Sequence, residues 1–189
     1  MSIKTITYFE KCGPENTDET LTLSHERAVD LGIQDFVIAS THGKTALKAA
    51  EILDPKKNNI IVVTHSESFH NKDWAMTAKE KEDLLEKGFK VLTCTLALGP
   101  DVESAFSEKY GGTTINEVVS QTLYRFCQGM KVAVEIVLMA ADAGLISVNK
   151  EVIAIAGTGE GADTSIVVKP SYPSKFFGLK IKEIIAKPR

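Results

Sequence analysis

A three-layer α/β/α domain with a mainly parallel sheet is what the sequence predicts, and three observations carry that expectation. Apolar runs such as Phe36-Val37-Ile38-Ala39 and Asn59 to Thr64 (NIIVVT) show no alternation, as strands buried on both faces do. Segments with helical periodicity separate these runs, the order that builds parallel sheets. The chain has 189 residues, enough for one well-buried domain and too few for two comfortable ones, so a single domain over residues 1–189 is expected. The sheet should hold about five to six strands plus a C-terminal antiparallel strand.

The elements follow in order. Lys4 to Phe9 is rich in β-branched and aromatic residues and predicts a first strand, broken by the loop Glu10 to Thr17 with its Gly13-Pro14. Asn16 or Thr17 can cap the helix that follows, whose apolar stripe is Leu21, Ala28, Val29 and Leu31 and whose C′ residue is Gly32. The strand Phe36–Ala39 runs into Ser40-Thr41-His42-Gly43-Lys44-Thr45 and then a helix ending near Asp54-Pro55. Asn59 to Thr64 is a third strand, ending in the polar loop Thr64 to His70. Thr77 to Lys87 is a helix with Thr77 and Glu80 in capping-box register, and Gly88 closes it.

Lys90 to Leu96 predicts strand four, with Gly99-Pro100, a weak helix from Val102 to Phe106 and a turn at Tyr110 to Thr114 behind it. The longest helical segment, Asn116 to Gly144, repeats apolar residues at helical spacing through Val119, Leu123, Phe126, Met130, Val134 and Leu138, with Gly129 placed to bend or divide it. Glu151 to Ala156 is strand five. The glycine-rich loop Gly157 to Thr164 leads into Ser165 to Val168, and Lys180 to Ala186 alternates weakly, as an edge strand would.

Composition narrows the function classes. Basic residues are scattered and the net charge is −3, so nothing in the sequence suggests a nucleic-acid footprint. Cys12, Cys94 and Cys127 are odd in number and lack C-x-x-C spacing, which predicts reduced thiols, a cytoplasmic location and no zinc site. The N-terminal stretch has no signal-peptide pattern. Val132 to Val148 is interrupted by Glu135 and Asp142, so it reads as a buried helix and not a membrane span.

The polar loops cluster at one end of the strands: Lys11 to Thr17, Ser40 to Thr45, Thr64 to Ser68 and Gly157 to Thr164. Open parallel sheets bind ligands at that edge, near a change in strand order. At Ser40 to Thr45, backbone amides, the helix dipole and the Lys44 ammonium would favour an anion. The alternative there is an ordinary turn in which Ser40 or Thr41 caps the helix. A Walker A loop requires glycine five places before Gly43, where Ile38 stands, and no G-x-G-x-x-G follows the first strand. Gly157, Gly159 and Gly161 permit either close approach to a ligand or a tight hairpin turn, and both can hold together.

These motifs resemble a known family. The strand VIAST followed by H-G-K-T-A is similar to the strand and S-G-[RK]-[ST]-A loop of the pyruvate kinase C-terminal domain, which can hold a sugar-phosphate effector. NNIIVVTHS resembles that domain's next strand, and EVIAIAGTGEGADTSIVV resembles its last hairpin, with Asp163-Thr164 where pyruvate kinase has threonine-asparagine. Lysine replaces arginine in the phosphate loop, exchanging a bidentate fork for a point charge, which a monophosphate held by backbone amides tolerates. FEKCGPENT resembles the amino-terminal loop of stand-alone members of this family. No catalytic barrel precedes the motifs, so the phosphotransfer site of pyruvate kinase is not expected.

The resemblance implies a pyruvate kinase C-terminal-domain fold and flavin mononucleotide (FMN) as a candidate ligand. It places the cofactor among Cys12, Gly13, Asn16, Thr17, Ser40, Thr41, His42, Gly43, Lys44, Thr45, Thr64, His65, Ser66, Gly157, Thr158, Gly159, Gly161, Ala162, Asp163 and Thr164. The partner expected is a small phosphorylated ligand, with neither nucleic acid nor membrane and with homo-oligomerisation open. Two further functions stand beside ligand binding. One is an enzyme: flavin-dependent, with redox chemistry belonging to the cofactor, or acting on another small molecule without flavin, in which case Cys12, His65 and Glu67 could supply a nucleophile, base or acid. The other is a regulatory or oligomerisation module without turnover, with no catalytic residue assigned.

Overall fold

The computed structural model describes residues 3–189; Met1 and Ser2, the first residues of the stretch read for a leader, lie outside it. A seven-stranded sheet runs in the order β1-β7-β6-β5-β2-β3-β4. Its strands are β1 (Thr7–Phe9), β2 (Asp35–Ala39), β3 (Asn59–Val63), β4 (Lys90–Leu92), β5 (Val152–Ala156), β6 (Thr164–Lys169) and β7 (Lys180–Pro188). The helices are α1 (Thr17–Leu31), α2 (Lys44–Ala49), α3 (Ala78–Glu86), α4 (Val102–Tyr110), α5 (Ile115–Leu123) and α6 (Gln128–Asp142). Strands β5, β2, β3 and β4 are parallel, whereas β6 is antiparallel to both β5 and β7.

The apolar runs work as expected. Phe36, Ile38, Ile60, Val62, Ile153 and Ile155 pack with Leu21, Ala28, Ala46, Ala49 and Leu84 under α1, α2 and α3. Their neighbours Val37, Ile61, Val63, Ala154 and Ala156 pack against Met130, Val134, Val137 and Leu138 of α6. Every central position thus faces one helical layer or the other, which is why the strands carry no polar alternation.

Three features differ from the expectation. The C-terminal strand is not at an edge: β7 lies between β6 and β1, pairing parallel with β1 and antiparallel with β6. Its weak alternation has a physical cause, because its first three residues are exposed while Ile185, Ala186 and Pro188 are buried. The long helical segment divides into α5 and α6, as Gly129 allowed, but the break falls just before it, at Tyr124 to Cys127. A Cβ on Gly129 would lie 2.2 Å from Thr164 Oγ1, so α6 meets the start of β6 backbone-on, and the extended residue Cys127 redirects the chain into that contact. Finally, α2 is short, giving way to turns from Ala50 onward instead of continuing to Pro55.

This topology sets the site. From β2 the chain moves outward through β3 and β4, then α6 carries it back to β5 on the other side of β2. The strand order therefore reverses between β2 and β5, and the loops after β1, β2, β3 and β5 all emerge at the carboxyl edge around that point.

Candidate functional site

The floor of the site is the loop after β2. The Ser40 amide still donates to the Val63 carbonyl at 3.1 Å, continuing the ladder, and the chain then leaves the sheet. Gly43 takes φ 81°, a conformation that favours glycine, and acts as the N-cap of α2 without any side-chain cap. Neither Ser40 nor Thr41 caps the helix. Among the described residues, the amides from Thr41 to Ala46 have no acceptor within the chain; the next bond runs from Leu47 N–H to the Gly43 carbonyl at 2.8 Å. Lys44 is exposed, His42 and Thr41 are half-buried, and Ser40 and Thr45 are buried.

One wall rises from the segment after β3. Thr64 is tied to Thr93 Oγ1 at 2.8 Å and to the His65 carbonyl, and Ser66 to Ser68 at 2.6 Å, so these hydroxyls hold the loop in place. A 3₁₀ turn over Glu67–Lys72 then brings three rings together. His65 and Phe69 centroids are 5.4 Å apart, His65 and Trp74 5.4 Å, and Phe69 and Trp74 5.8 Å and stacked. Trp74 keeps 46% of its surface exposed, so one ring of the group is open. Burial pushes the His65 pKa below its ordinary value, and its Nδ1 is buried with no hydrogen-bond partner among the described residues.

His42 clamps this wall to the floor. Its Nε2 donates to the Asp73 carbonyl at 2.9 Å, and Nδ1 stands 3.2 Å from the Glu80 carboxylate. Glu80 also accepts from Thr77 N–H and closes the capping box of α3. The bond to the Asp73 carbonyl, with that to Glu80 second, raises the His42 pKa. Burial alone would raise Glu80, but hydrogen bonds from Thr77 and His42 outweigh it and hold the carboxyl below its ordinary value. A histidine raised in the folded state stabilises fully below its unfolded value of 6.5, and that contribution is lost as pH rises through the folded one. The melting temperature should therefore decline from just above pH 6.5 upward, and His42→Ala should flatten that decline in thermal melts taken across the range.

The opposite wall is the turn after β5, joined to the loop after β1. Thr17 Oγ1 donates to the Pro14 carbonyl at 2.7 Å and accepts from Ala162 N–H at 3.0 Å, while Thr20 Oγ1 donates to the Ala162 carbonyl. The buried Asp163 carboxylate accepts from Gly13 N–H at 3.1 Å and from the Thr164 hydroxyl at 2.7 Å. Gly161, at φ 69°, leaves no room for a side chain: a Cβ would stand 2.6 Å from Pro14 Cα. Asn16 Nδ2 donates to the Lys11 and Gly13 carbonyls. Within the expected set, Gly13, Thr17, Gly161, Ala162, Asp163 and Thr164 thus join two loops, whereas Gly157, Thr158 and Gly159 retain exposed surface beside the floor.

The proposed catalytic residues are dispersed. Cys12 and Glu67 are exposed, on loops that follow β1 and β3, strands five places apart in the sheet. The pairing of Lys131 with Glu135 and the position of Trp74 were not legible in the sequence. Lys131 Nζ donates to Glu135 Oε2 at 2.7 Å in the apolar body of α6, and Glu135 Oε1 accepts from Leu98 N–H at 2.9 Å. The signal was a lysine and a glutamate four apart in an otherwise apolar run. Trp74, the lone tryptophan, was also passed over. No helix among the described residues is long and apolar enough to cross a membrane.

The family described as pyruvate kinase, alpha/beta domain, matches residues 18–168. Among solved structures, a similar chain is the Cryptosporidium parvum pyruvate kinase in complex with ADP, at 14% identity and a TM-score of 0.40. The alignment covers 91% of this chain and 24% of that one, so this chain spans about a quarter of that relative's length.

Proposed function

The chain belongs to the pyruvate kinase alpha/beta domain family, and on that footing we propose that it binds a phosphorylated small molecule carrying a conjugated ring, with FMN the leading candidate. One observation carries the reading: a run of unengaged amides, Thr41 to Ala46, lies beside an aromatic group whose Trp74 keeps 46% of its surface exposed, with the Lys72 ammonium 5.5 Å from its ring centre. Amides and the Lys44 ammonium suit a phosphate, since both donate to its oxygens without needing a bidentate fork. Offset stacking on Trp74 suits a flat ring and adds roughly 0.5–1.5 kcal/mol beyond area burial. His42 ties the two parts together through Asp73, which supports a single ligand reaching both the amides and the aromatic group. When bound, FMN would supply the electron chemistry, and the chain's own residues would place it and shield it.

The test is titration with FMN and riboflavin, followed by flavin fluorescence and calorimetry, together with mass analysis of whatever copurifies. FMN should bind at least tenfold more tightly than riboflavin, because only FMN reaches the loop amides. Gly43→Ala should erase much of that difference, since a Cβ there meets a left-handed φ and lies 3.2 Å from the Leu84 side chain. Wild-type protein that binds FMN no better than riboflavin, and carries no phosphorylated compound when purified, would overturn the proposal.

A further inference from the structure

We infer that residues 67–76 form a strap over His65, which the protonated His42 ring latches to the floor of the crevice and releases when it loses its proton. The latch stands on the chain's own contacts. Its consequence, a crevice whose aromatic wall loosens as pH rises, rests on the reading of the crevice as a ligand site. The strap runs from the buried Ser66 to the Thr77 cap of α3, and none of its own residues is buried. Phe69 and Trp74 are the strap's two rings against His65. Its hydrogen bonds stay local: Phe69 N–H donates to the Ser66 carbonyl at 3.0 Å, Asp73 N–H to the His70 carbonyl at 3.1 Å, and Ser66 pairs with Ser68. Among the described residues, one hydrogen bond alone joins the strap to anything beyond Ser66, from His42 Nε2 to the Asp73 carbonyl at 2.9 Å. Asp73 is also the one non-glycine residue among them at positive φ, 56°, so the chain is strained where it is tied. A segment with little burial and a single tie belongs to the low-stability end of a fold.

The two partners of His42 make that tie depend on protonation. Both are acceptors: the Asp73 carbonyl at Nε2 and the Glu80 carboxylate, 3.2 Å from Nδ1. Glu80 Oε2 already accepts from Thr77 N–H and from the Thr77 hydroxyl, each at 2.8 Å, so the carboxylate has no proton to lend. Only the imidazolium donates from both nitrogens, and turning the ring over changes nothing. A neutral ring keeps one N–H. The charged carboxylate holds it more strongly than a carbonyl does, so the lone pair is left facing Asp73 and the latch fails. Glu80 on α3 and Asp73 on the strap are the charged groups that act on His42; His65, after β3, feels its charge, and Lys44 in the same loop is exposed. The bond to Asp73, with that to Glu80 second, raises the pKa of the ring, so release falls above pH 6.5.

Trp74 is the lone tryptophan, so acrylamide quenching of its fluorescence reads the strap without a label. The experiment follows quenching against pH in ligand-free wild type, His42→Ala and Glu80→Gln, after circular dichroism shows that each is folded. In wild type the quenching constant should rise about twofold between about pH 5.5 and about pH 8.5, in a single-proton step centred above 6.5. His42→Ala should show the higher level at every pH. Glu80→Gln should hold the lower level throughout: its amide N–H can donate to Nδ1, leaving the one proton of a neutral ring on Nε2 for Asp73, while its amide oxygen still accepts from Thr77 N–H. A wild type without a step overturns the inference. A step that survives in His42→Ala overturns it as well, by assigning the titration to His65 or His70. So does a wild-type step in Glu80→Gln, because the latch then does not depend on the carboxylate. The quenching is read without ligand, so a failure here and a failure to bind FMN are separate results.

Discussion

Replacing Asp163 by alanine should lower the stability of the protein by about 3 kcal/mol, the sum expected for two hydrogen bonds to one buried carboxylate. Gly13 N–H and the Thr164 hydroxyl would lose their acceptor, and neither can turn to water, since the whole group is sealed. For a chain of this size the melting temperature should fall by roughly 6–12 °C. Urea unfolding read by circular dichroism measures the first figure and a thermal melt the second. The loop after β1 should also loosen, since Asp163 is one of its anchors to the glycine turn, along with the bond from Ala162 N–H to Thr17. Asp163→Asn keeps one oxygen acceptor and should cost about half as much. A loss below 1 kcal/mol in Asp163→Ala would show that the two loops hold together without the carboxylate.

Glu135→Leu should be comparably severe, at about 3–5 kcal/mol, for a different reason. The substitution leaves the Lys131 ammonium buried with no counter-charge and the Leu98 amide with no acceptor. Lys131→Met/Glu135→Gln should recover most of that loss, because a buried pair exchanged for neutral groups of similar volume is often nearly neutral. The two variants measured side by side in urea separate the penalty of an isolated charge from the net contribution of the pair. If Glu135→Leu is as stable as the double variant, Lys131 has found another partner or reached water.

Much of the fold was legible because its signals are local. The both-face apolar runs at Phe36 and Asn59 marked central strands, and the Thr77–Glu80 box placed the start of α3 to the residue. The carboxyl-edge loops were legible for the same reason, glycine and hydroxyl residues standing next to strands. What was not legible depends on partners far away in sequence. Lys180 to Ala186 reads as an edge strand because it alternates only weakly, and its pairing with β1 makes it interior. Asp163 looks like a ligand contact within its glycine turn, yet its bond to Gly13 spans the length of the domain. Lys131 and Glu135 are ordinary surface residue types; the apolar run around them marks a buried helix, but it does not tell that Glu135 meets Leu98 N–H in the loop after β4.

The position of β7 bears on how the molecule comes into being on the ribosome. Thr7, Tyr8 and Phe9 are made long before their ladder partners, Ala186, Lys187 and Pro188. At usual elongation speeds the nascent β1 therefore waits roughly ten to thirty seconds for a neighbour. Until then its edge is open, and closing so long a loop is the slow, non-local kind of pairing. The helix and strands that line the floor can settle earlier, since β2 and β3 are close in sequence. The loop after β1 gains its anchors only once Ala162 and Asp163 have been made, so that wall of the site is completed after the floor.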